Sequence, residues 1–445
     1  MTDTIFANVT PMVTTAVAIV RISGPYASDA LVKLTGKPLP EPRKAVYCTL
    51  LHPTEGDVLD KALVYWFKGP HSFTGEDTVE LHLHGSRAVV LRCLDALASF
   101  EGLRFAEPGE FSKRAFDNGK MDLTQAEGLA DLISSDTAQQ AKQAMRQMCG
   151  QLGKLYDGWR EQIIALMAHM EAYIDFPDED IPNSVVQSIV SKQEDLLKSF
   201  EEHLQDGCKG ELLKKGIHVA IIGEPNAGKS TLINNLSGRD VAIVSQQAGT
   251  TRDVIEVSLD IEGYPFILAD TAGIRRTDQE IEEEGIARAI QRAKQADIVI
   301  VMIDATQPDV DDAINQWLSQ PNVMVVYNKI DYKNVNIPAP ATTDARNIGA
   351  VMISAVTGQG IDELLAMMLK FAKYHVGQND DPMITRQRHR LLVQEAHDQL
   401  AELDLSQPPE IAAQYLRNTA NALGKLTGKI DLEEVLDSLF SEFCI

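Results

Sequence analysis

The chain has 445 residues, enough for two or three domains, and its 44% hydrophobic and 24% charged content excludes a disordered chain. Lys and Arg total 41 against 64 Asp and Glu, and this balance of 41 − 64 = −23 excludes global attraction to nucleic acid, so any RNA contact needs a local basic patch or a partner. No apolar run reaches the roughly 18–20 residues that span a bilayer, and five scattered cysteines without a C-x-x-C pair, behind a non-leader N-terminus (Met1-Thr2-Asp3-Thr4), point to the cytoplasm.

From Ala16 to about Phe67, short β-rich runs (Val17–Val20, Leu63–Phe67) alternate with Gly and Pro, and a strand Thr78–His84 precedes a helix Ala88–Phe100. His82 and His84 alternate with leucines in that strand, which reads as a polar strand face rather than a metal site. One α+β domain ends near Asn118. From Asp122 to Ile174 apolar residues recur at helical spacing, an acidic loop lies between Pro177 and Pro182, and Val185–Leu204 is again helical. That loop, with Asp175, Asp178, Glu179 and Asp180, reads as a solvated turn before a cation site. At Ile217 the pattern becomes a strand and then alternates strand with helix to about His375, a doubly wound α/β unit. Helical spacing returns from Thr385 to the end, so the α/β unit is inserted into a discontinuous helical domain.

Gly223-Glu224-Pro225-Asn226-Ala227-Gly228-Lys229-Ser230 fits G-x-x-x-x-G-K-[ST] between a strand and a helix opening at Thr231. Such a loop turns backbone N–H groups toward phosphates, while Lys229 neutralises β/γ oxygens and the Ser230 hydroxyl ligates Mg²⁺. Asp270-Thr271-Ala272-Gly273 and Asn328-Lys329-Ile330-Asp331 follow in order, each after an apolar run. Asp270 can hold Mg²⁺ through water and the Gly273 N–H can face the γ-phosphate. The Asp331 carboxylate suits guanine's two adjacent N–H donors and opposes adenine, so the nucleotide is read as GTP, with Ser354-Ala355 completing the base pocket. In Gly249-Thr250-Thr251-Arg252-Asp253, Thr251 is the second Mg²⁺ ligand of a switch segment. Ile274 stands where Ras-like enzymes place a water-positioning glutamine, so a carboxylate from the run Asp278–Glu284 is the alternative.

These motifs, with Ala248-Gly249-Thr250-Thr251-Arg252-Asp253, closely resemble those of the MnmE (TrmE) tRNA-modification GTPases. The resemblance extends to Arg21-Ile22-Ser23-Gly24, Ser72-Phe73-Thr74-Gly75-Glu76-Asp77, Pro108-Gly109-Glu110-Phe111, Asn118-Gly119-Lys120-Met121-Asp122-Leu123, Asp175-Phe176-Pro177-Asp178 and Phe443-Cys444-Ile445. It implies a multidomain α/β and α+β chain: an aminomethyltransferase-like folate-binding and dimerisation domain (1–118), a helical domain in two parts (119–215 and 377–445), and an inserted Ras-like P-loop G domain (216–376). By the same resemblance Asn226 is a side-chain ligand of K⁺, with Ser245, Gln247 and Thr250 in the loop around the ion, and Gln246 and Ala248 belong to the same GTP-binding stretch. Glu282 matches the acid that orients water. Arg21, Glu80 and Lys120 match contacts to a reduced folate, 5-formyl- or methylene-tetrahydrofolate. Read without the resemblance, Arg21 and Lys120 are salt-bridge residues and Glu80 lies on an exposed strand face.

The implied activity is GTP hydrolysis by a homodimer that forms a heterotetramer with the FAD-carrying MnmG (GidA) protein. The complex places an aminomethyl or carboxymethylaminomethyl group on C5 of the wobble uridine of certain tRNAs. Two departures stand out. Pro11-Met12-Val13-Thr14-Thr15-Ala16-Val17-Ala18 replaces a glycine-rich stretch, and the sequence stops at Ile445 where the family continues Gly-Lys with a folate contact. Cys444 is a candidate for the modification chemistry or an incidental thiol. Two rivals stay open at this point, a GTP-binding switch in RNA-complex assembly and a folate-binding scaffold with a vestigial G domain.

Overall fold

Strands that alternate apolar with polar residues can leave one sheet face open, whereas strands that are apolar throughout need both faces covered. Both kinds occur here, in separate sheets. The computed structural model describes residues 3–175, 183–239, 241–243, 256–269, 291–307, 310–332, 348–377 and 381–430, with Leu436, Leu439, Phe440 and Phe443. In chain order the elements are β1 (Thr4–Asn8), β2 (Val17–Ser23), α1 (Ala27–Thr35), β3 (Val46–Leu51), β4 (Val58–Phe67), β5 (Thr78–His84), α2 (Arg87–Ala98), β6 (Leu103–Phe105), α3 (Glu110–Asp117), α4 (Leu123–Ile133), α5 (Ala138–Met148) and α6 (Gln151–Asp175). They continue with α7 (Asn183–Lys215), β7 (Ile217–Gly223), α8 (Lys229–Ser237), β8 (Ala242–Ile243), β9 (Glu256–Ile261), β10 (Tyr264–Ala269), β11 (Ile298–Asp304), α9 (Asp312–Asn315), β12 (Val323–Asn328), β13 (Gly349–Met352), α10 (Ile361–His375), α11 (Gln387–Ala401) and α12 (Pro409–Thr427). The chain forms two compact units: Met1–Ala130 with Gln147–Ala165 and Ala420–Ile445, and Asp131–Arg146 with Leu166–Thr419. No helix among the described residues is long and apolar enough to cross a membrane.

In the first unit six strands run in the order β3-β4-β5-β2-β1-β6, antiparallel except for the parallel β1–β6 pair. Val20, Ile22, Val79, Leu81 and Val64 point to one face and are buried with Leu31 and Leu34 of α1 and Val90, Cys93 and Leu97 of α2. Each such aliphatic contributes about 1.5–3 kcal/mol. The alternate residues therefore share the opposite face, where the register sets Arg21 beside Glu80, and Glu80 beside Tyr65.

The helical segment expected over Asp122–Ile174 is made of three helices, α4, α5 and α6. Polar residues that bond to the backbone restart the helix. Asp122 Oδ1 accepts the Gln125 N–H at 2.9 Å while Gln125 Oε1 accepts the Asp122 N–H at 3.0 Å, a reciprocal cap for α4. Gln140 Oε1 accepts the Thr137 N–H at 3.1 Å ahead of α5, and Gly150, at φ 81°, turns the chain before α6. Burial pushes the Asp122 carboxyl above its ordinary value, against the hydrogen bonds from Thr124 and Gln125.

The second unit holds seven strands in the order β13-β12-β11-β7-β10-β9-β8, parallel from β13 to β10 and antiparallel beyond. Ile217, Val219 and Ile221 of β7 bury on one face with Ile300, Met302 and Met324, and Ala220 and Ile222 on the other with Val299, Val301 and Trp317. This doubly covered α/β sheet lies in sequence between α7 and α11, which bond to each other where Gln193 Nε2 donates to Leu400 O at 2.9 Å. One carboxylate serves both crossings of the chain: Asp131 Oδ1 pairs with Lys214, just before β7, at 3.1 Å and with Arg386, just before α11, at 3.0 Å.

Gly109, at φ 70°, precedes α3, and a Cβ there would overlap the Phe440 carbonyl. Gly109→Ala is expected to destabilise the first unit by about 1–3 kcal/mol, and Asp122→Ala by about 1 kcal/mol. Urea unfolding of each variant reads both values.

Candidate functional site

A parallel sheet gathers the carboxyl ends of its strands along one edge, and ligands bind where the chain leaves a central strand in opposite directions. Here β7 is that strand, flanked by β11 on one side and β10 on the other. Its end, Gly223, opens the loop to α8, whose N-cap is Gly228 at φ 103°. Asn226, at φ 62°, is exposed on the loop, as are Ser230 and Thr231 on the first turn of α8. The Lys229 ammonium folds back onto the loop, donating to Gly223 O and Glu224 O at 2.8 Å each. Backbone N–H groups at this helix start, with a lysine and a hydroxyl beside them, form a phosphate cradle.

Asn328 ties that cradle to the next strand end. Its Nδ2 donates to Ala227 O at 2.8 Å and its Oδ1 accepts the Ala355 N–H at 2.9 Å. Asn235 of α8 donates in turn to Ala355 O at 3.2 Å. A Cβ on Gly228 would collide with the Asn328 amide, so glycine is required by close approach as well as by φ. Asn328, Ala355 and Ser354 are buried, whereas Asp331 is exposed at the rim, free to meet a base.

Lys329 sits at φ 70° and its ammonium bonds Asp304 Oδ2 at 2.6 Å. Burial raises the Asp304 carboxyl, but the Lys329 and Thr306 hydrogen bonds outweigh it and leave the group below its ordinary value. Asp304 and Thr306 were not anticipated from sequence; the available signal was a lone acid ending the apolar run Ile298–Ile303.

The first unit brings a second set of expected residues together. Arg21 Nε and Nη2 donate to Glu80 Oε1 at 3.0 and 2.8 Å. His82 Nε2 stands 3.4 Å from Glu80 Oε2, with its ring 4.8 Å from the Tyr65 ring. The Arg21 guanidinium lies over Phe73 at 5.2 Å and Phe111 at 5.5 Å, two rings the sequence did not assign. Lys120 makes no salt bridge among the described residues; it donates to Pro70 O at 2.9 Å. This face offers a cation, an anion and aromatic surface to a planar, charged ligand.

Residues 4–120 match the family described as GTP-binding protein TrmE N-terminus, and residues 123–444 match the MnmE helical domain. The chain belongs to the MnmE family of tRNA modification GTPases. It is 47% identical to the tRNA modification GTPase MnmE of Paramagnetospirillum magneticum, covering 100% of both chains. Against the proteins of the same name from Parvibaculum lavamentivorans and Rickettsia bellii it is 46% and 45% identical, covering 100% of this chain and 99% of each. It is also similar to the G domain of the T. maritima FeoB iron transporter, at 27% identity over 35% of this chain and 98% of that one, with a TM-score of 0.27.

The chain is a GTPase acting in tRNA modification. Its inserted α/β sheet and its helical and N-terminal parts are those expected. Ser245, Gln246, Gln247, Ala248, Gly249, Thr250, Thr251, Asp270, Thr271, Ala272, Gly273, Glu282 and Cys444 lie outside the described residues, as does the Phe176–Pro182 stretch. Losing the Asn328 amide would leave Ala227 O and Ala355 N without their partner in a buried place, at about 1–3 kcal/mol, so Asn328→Ala should weaken GTP binding about tenfold to a hundredfold. Titration with a fluorescent GTP analogue measures it.

Proposed function

We propose that GTP hydrolysis at the β7–α8 cradle drives a conformational cycle that adds an aminomethyl or carboxymethylaminomethyl group to C5 of the wobble uridine, position 34, of certain tRNAs. The observation that carries the reading is the Asn328 network, which locks the phosphate cradle to the base-reading loop bearing Asp331. Lys229 and the loop N–H groups hold the β- and γ-phosphates, and Asp331 selects guanine. Ser230, with Thr251 and with Asp270 through water, would hold Mg²⁺, which when bound would offset phosphate charge.

Glu282 orients the attacking water in place of the glutamine that Ile274 displaces. Asn226, exposed on the cradle, supplies a side-chain oxygen to K⁺, with Ser245, Gln247 and Thr250 around it. When bound, the cation would supply positive charge to the transition state, as an arginine finger does. K⁺ also favours pairing of G domains across a homodimer formed through the N-terminal domains. Nucleotide and uridine chemistry share no atoms, so the coupling is conformational.

Arg21, Glu80 and Lys120 bind the reduced folate that delivers the one-carbon unit. The pair across β2 and β5 supports this, since a guanidinium and a carboxylate match an anionic tail and a pterin's N–H edge. The MnmG flavoprotein brings FAD, tRNA joins through the complex, and the assembly works in the cytoplasm.

Hydrolysis by the full chain should be about 10²-fold faster in K⁺ than in Na⁺, and Asn226→Ala or Glu282→Ala should abolish the difference. Cation-independent turnover insensitive to both changes would defeat the reading and favour a GTP-binding switch.

A further inference from the structure

Two short segments singled out in the sequence, Ser72–Asp77 and Pro108–Phe111, have no part in the nucleotide chemistry, yet they are built alike. Each carries one phenylalanine and an acid turned toward the same centre: Phe73 with Glu76, and Phe111 with Glu110. Both acids turn to the same arginine. Arg114, with 1% of its side chain exposed, donates Nη1 to Glu76 Oε1 and Oε2 at 3.1 and 3.2 Å, and Nη2 and Nε to Glu110 Oε1 at 2.9 and 3.3 Å. It also donates to Asp3 O at 3.2 Å and Asp3 Oδ1 at 3.0 Å, so every N–H of the guanidinium is used. Both rings turn to another arginine, Arg21, at 5.2 and 5.5 Å.

The two centres are joined by further bonds. Ser23, two residues from Arg21 on β2, donates to Glu76 Oε2 at 2.7 Å and lies 2.7 Å from Thr74 Oγ1. Asn118 Nδ2 donates to Thr74 O at 2.7 Å, and the Lys120 stem lies against Gly75. Arg104 closes the far side with hydrogen bonds to Glu110 at 2.6 and 2.8 Å and to Asp3 at 2.6 Å. Two arginines thus meet three carboxylates, with Arg114 buried inside the set and Arg104 and Asp3 partly exposed at its edge.

We infer that Arg114 is a positioning residue for Arg21: by holding Glu76 and Glu110 it sets Phe73 and Phe111 against the Arg21 guanidinium and so aims that group at a bound folate. A guanidinium packed on two rings keeps one plane and loses little entropy when it binds. Its Nε and Nη2 are engaged by Glu80, and its Nη1 makes no hydrogen bond among the described residues, which leaves that edge for the ligand's anionic group. The ligand rests on the folate reading above; the positioning does not.

The full-length protein tests both parts. Without ligand, phenylglyoxal modification of Arg21, followed by peptide mass spectrometry with Arg390 as internal reference, should be about fivefold faster in Arg114→Met and in the milder Glu76→Gln, because local opening governs such protection. Unchanged Arg21 reactivity in either folded variant would overturn the inference. With ligand, calorimetric titration of 5-formyl-tetrahydrofolate should show about tenfold weaker binding for Arg114→Met, and none of that loss in an Arg21→Gln background. Equal losses in both backgrounds would mean that Arg114 acts only on general stability, and would overturn it too. Faster Arg21 modification in a protein whose wild type binds no folate would uphold the positioning and reject the folate reading alone.

Discussion

The carboxamide of Asn328 is the interaction on which the candidate nucleotide pocket depends. It is 3% exposed and spans loops from three strand ends, donating to Ala227 O and accepting from Ala355 N. A carboxamide can do both, because it offers a donor and an acceptor on one planar group. A buried amide with one partner missing would carry a desolvation penalty, so the three loops are held in register or the pocket is lost as a whole. Gly228 completes the constraint by letting the Asn328 side chain approach the loop backbone directly.

The first unit solves a similar problem with charge. A single buried guanidinium, Arg114, gathers Glu76, Glu110 and Asp3, and the loops that bring those acids also shape the face holding Arg21 and Glu80. Such a cluster is poor evidence for stability, since the cost of burying ions offsets much of their attraction. Its value lies in geometry: bidentate and forked bonds specify one arrangement of two loops where apolar packing would accept several. Both sites therefore stand on rigid strands and helix starts, with polar side chains deciding loop shape.

The place where the α/β unit is spliced in shows the same economy. Asp131 takes Lys214 and Arg386, one on each flank of the inserted strands and helices. α7 and α11 meet beyond it through Gln193. A domain inserted between two helices needs its two connections close together, and one shared carboxylate holds them so.

The sequence by itself determined the parts that depend on local rules. A P-loop is recognisable because its glycines, lysine and serine fall at fixed spacing within eight residues, and β7 and β12 because strands buried on both faces are almost wholly apolar. The Asp122 cap was present in the letters as Asp-x-x-Gln, but helical periodicity alone does not show where one helix ends and the next begins. Arg21 and Glu80 carried a family resemblance yet no physical reason to meet, because they are 59 residues apart and only the β2–β5 register joins them. Arg114, Asp304 and the rings of Phe73 and Phe111 were silent for the same reason. Their deciding partners, Glu76 and Asp3 for Arg114, Lys329 for Asp304 and Arg21 for the two rings, lie far along the chain, and spacing cannot report a contact that only the sheet order and the burial of charge create.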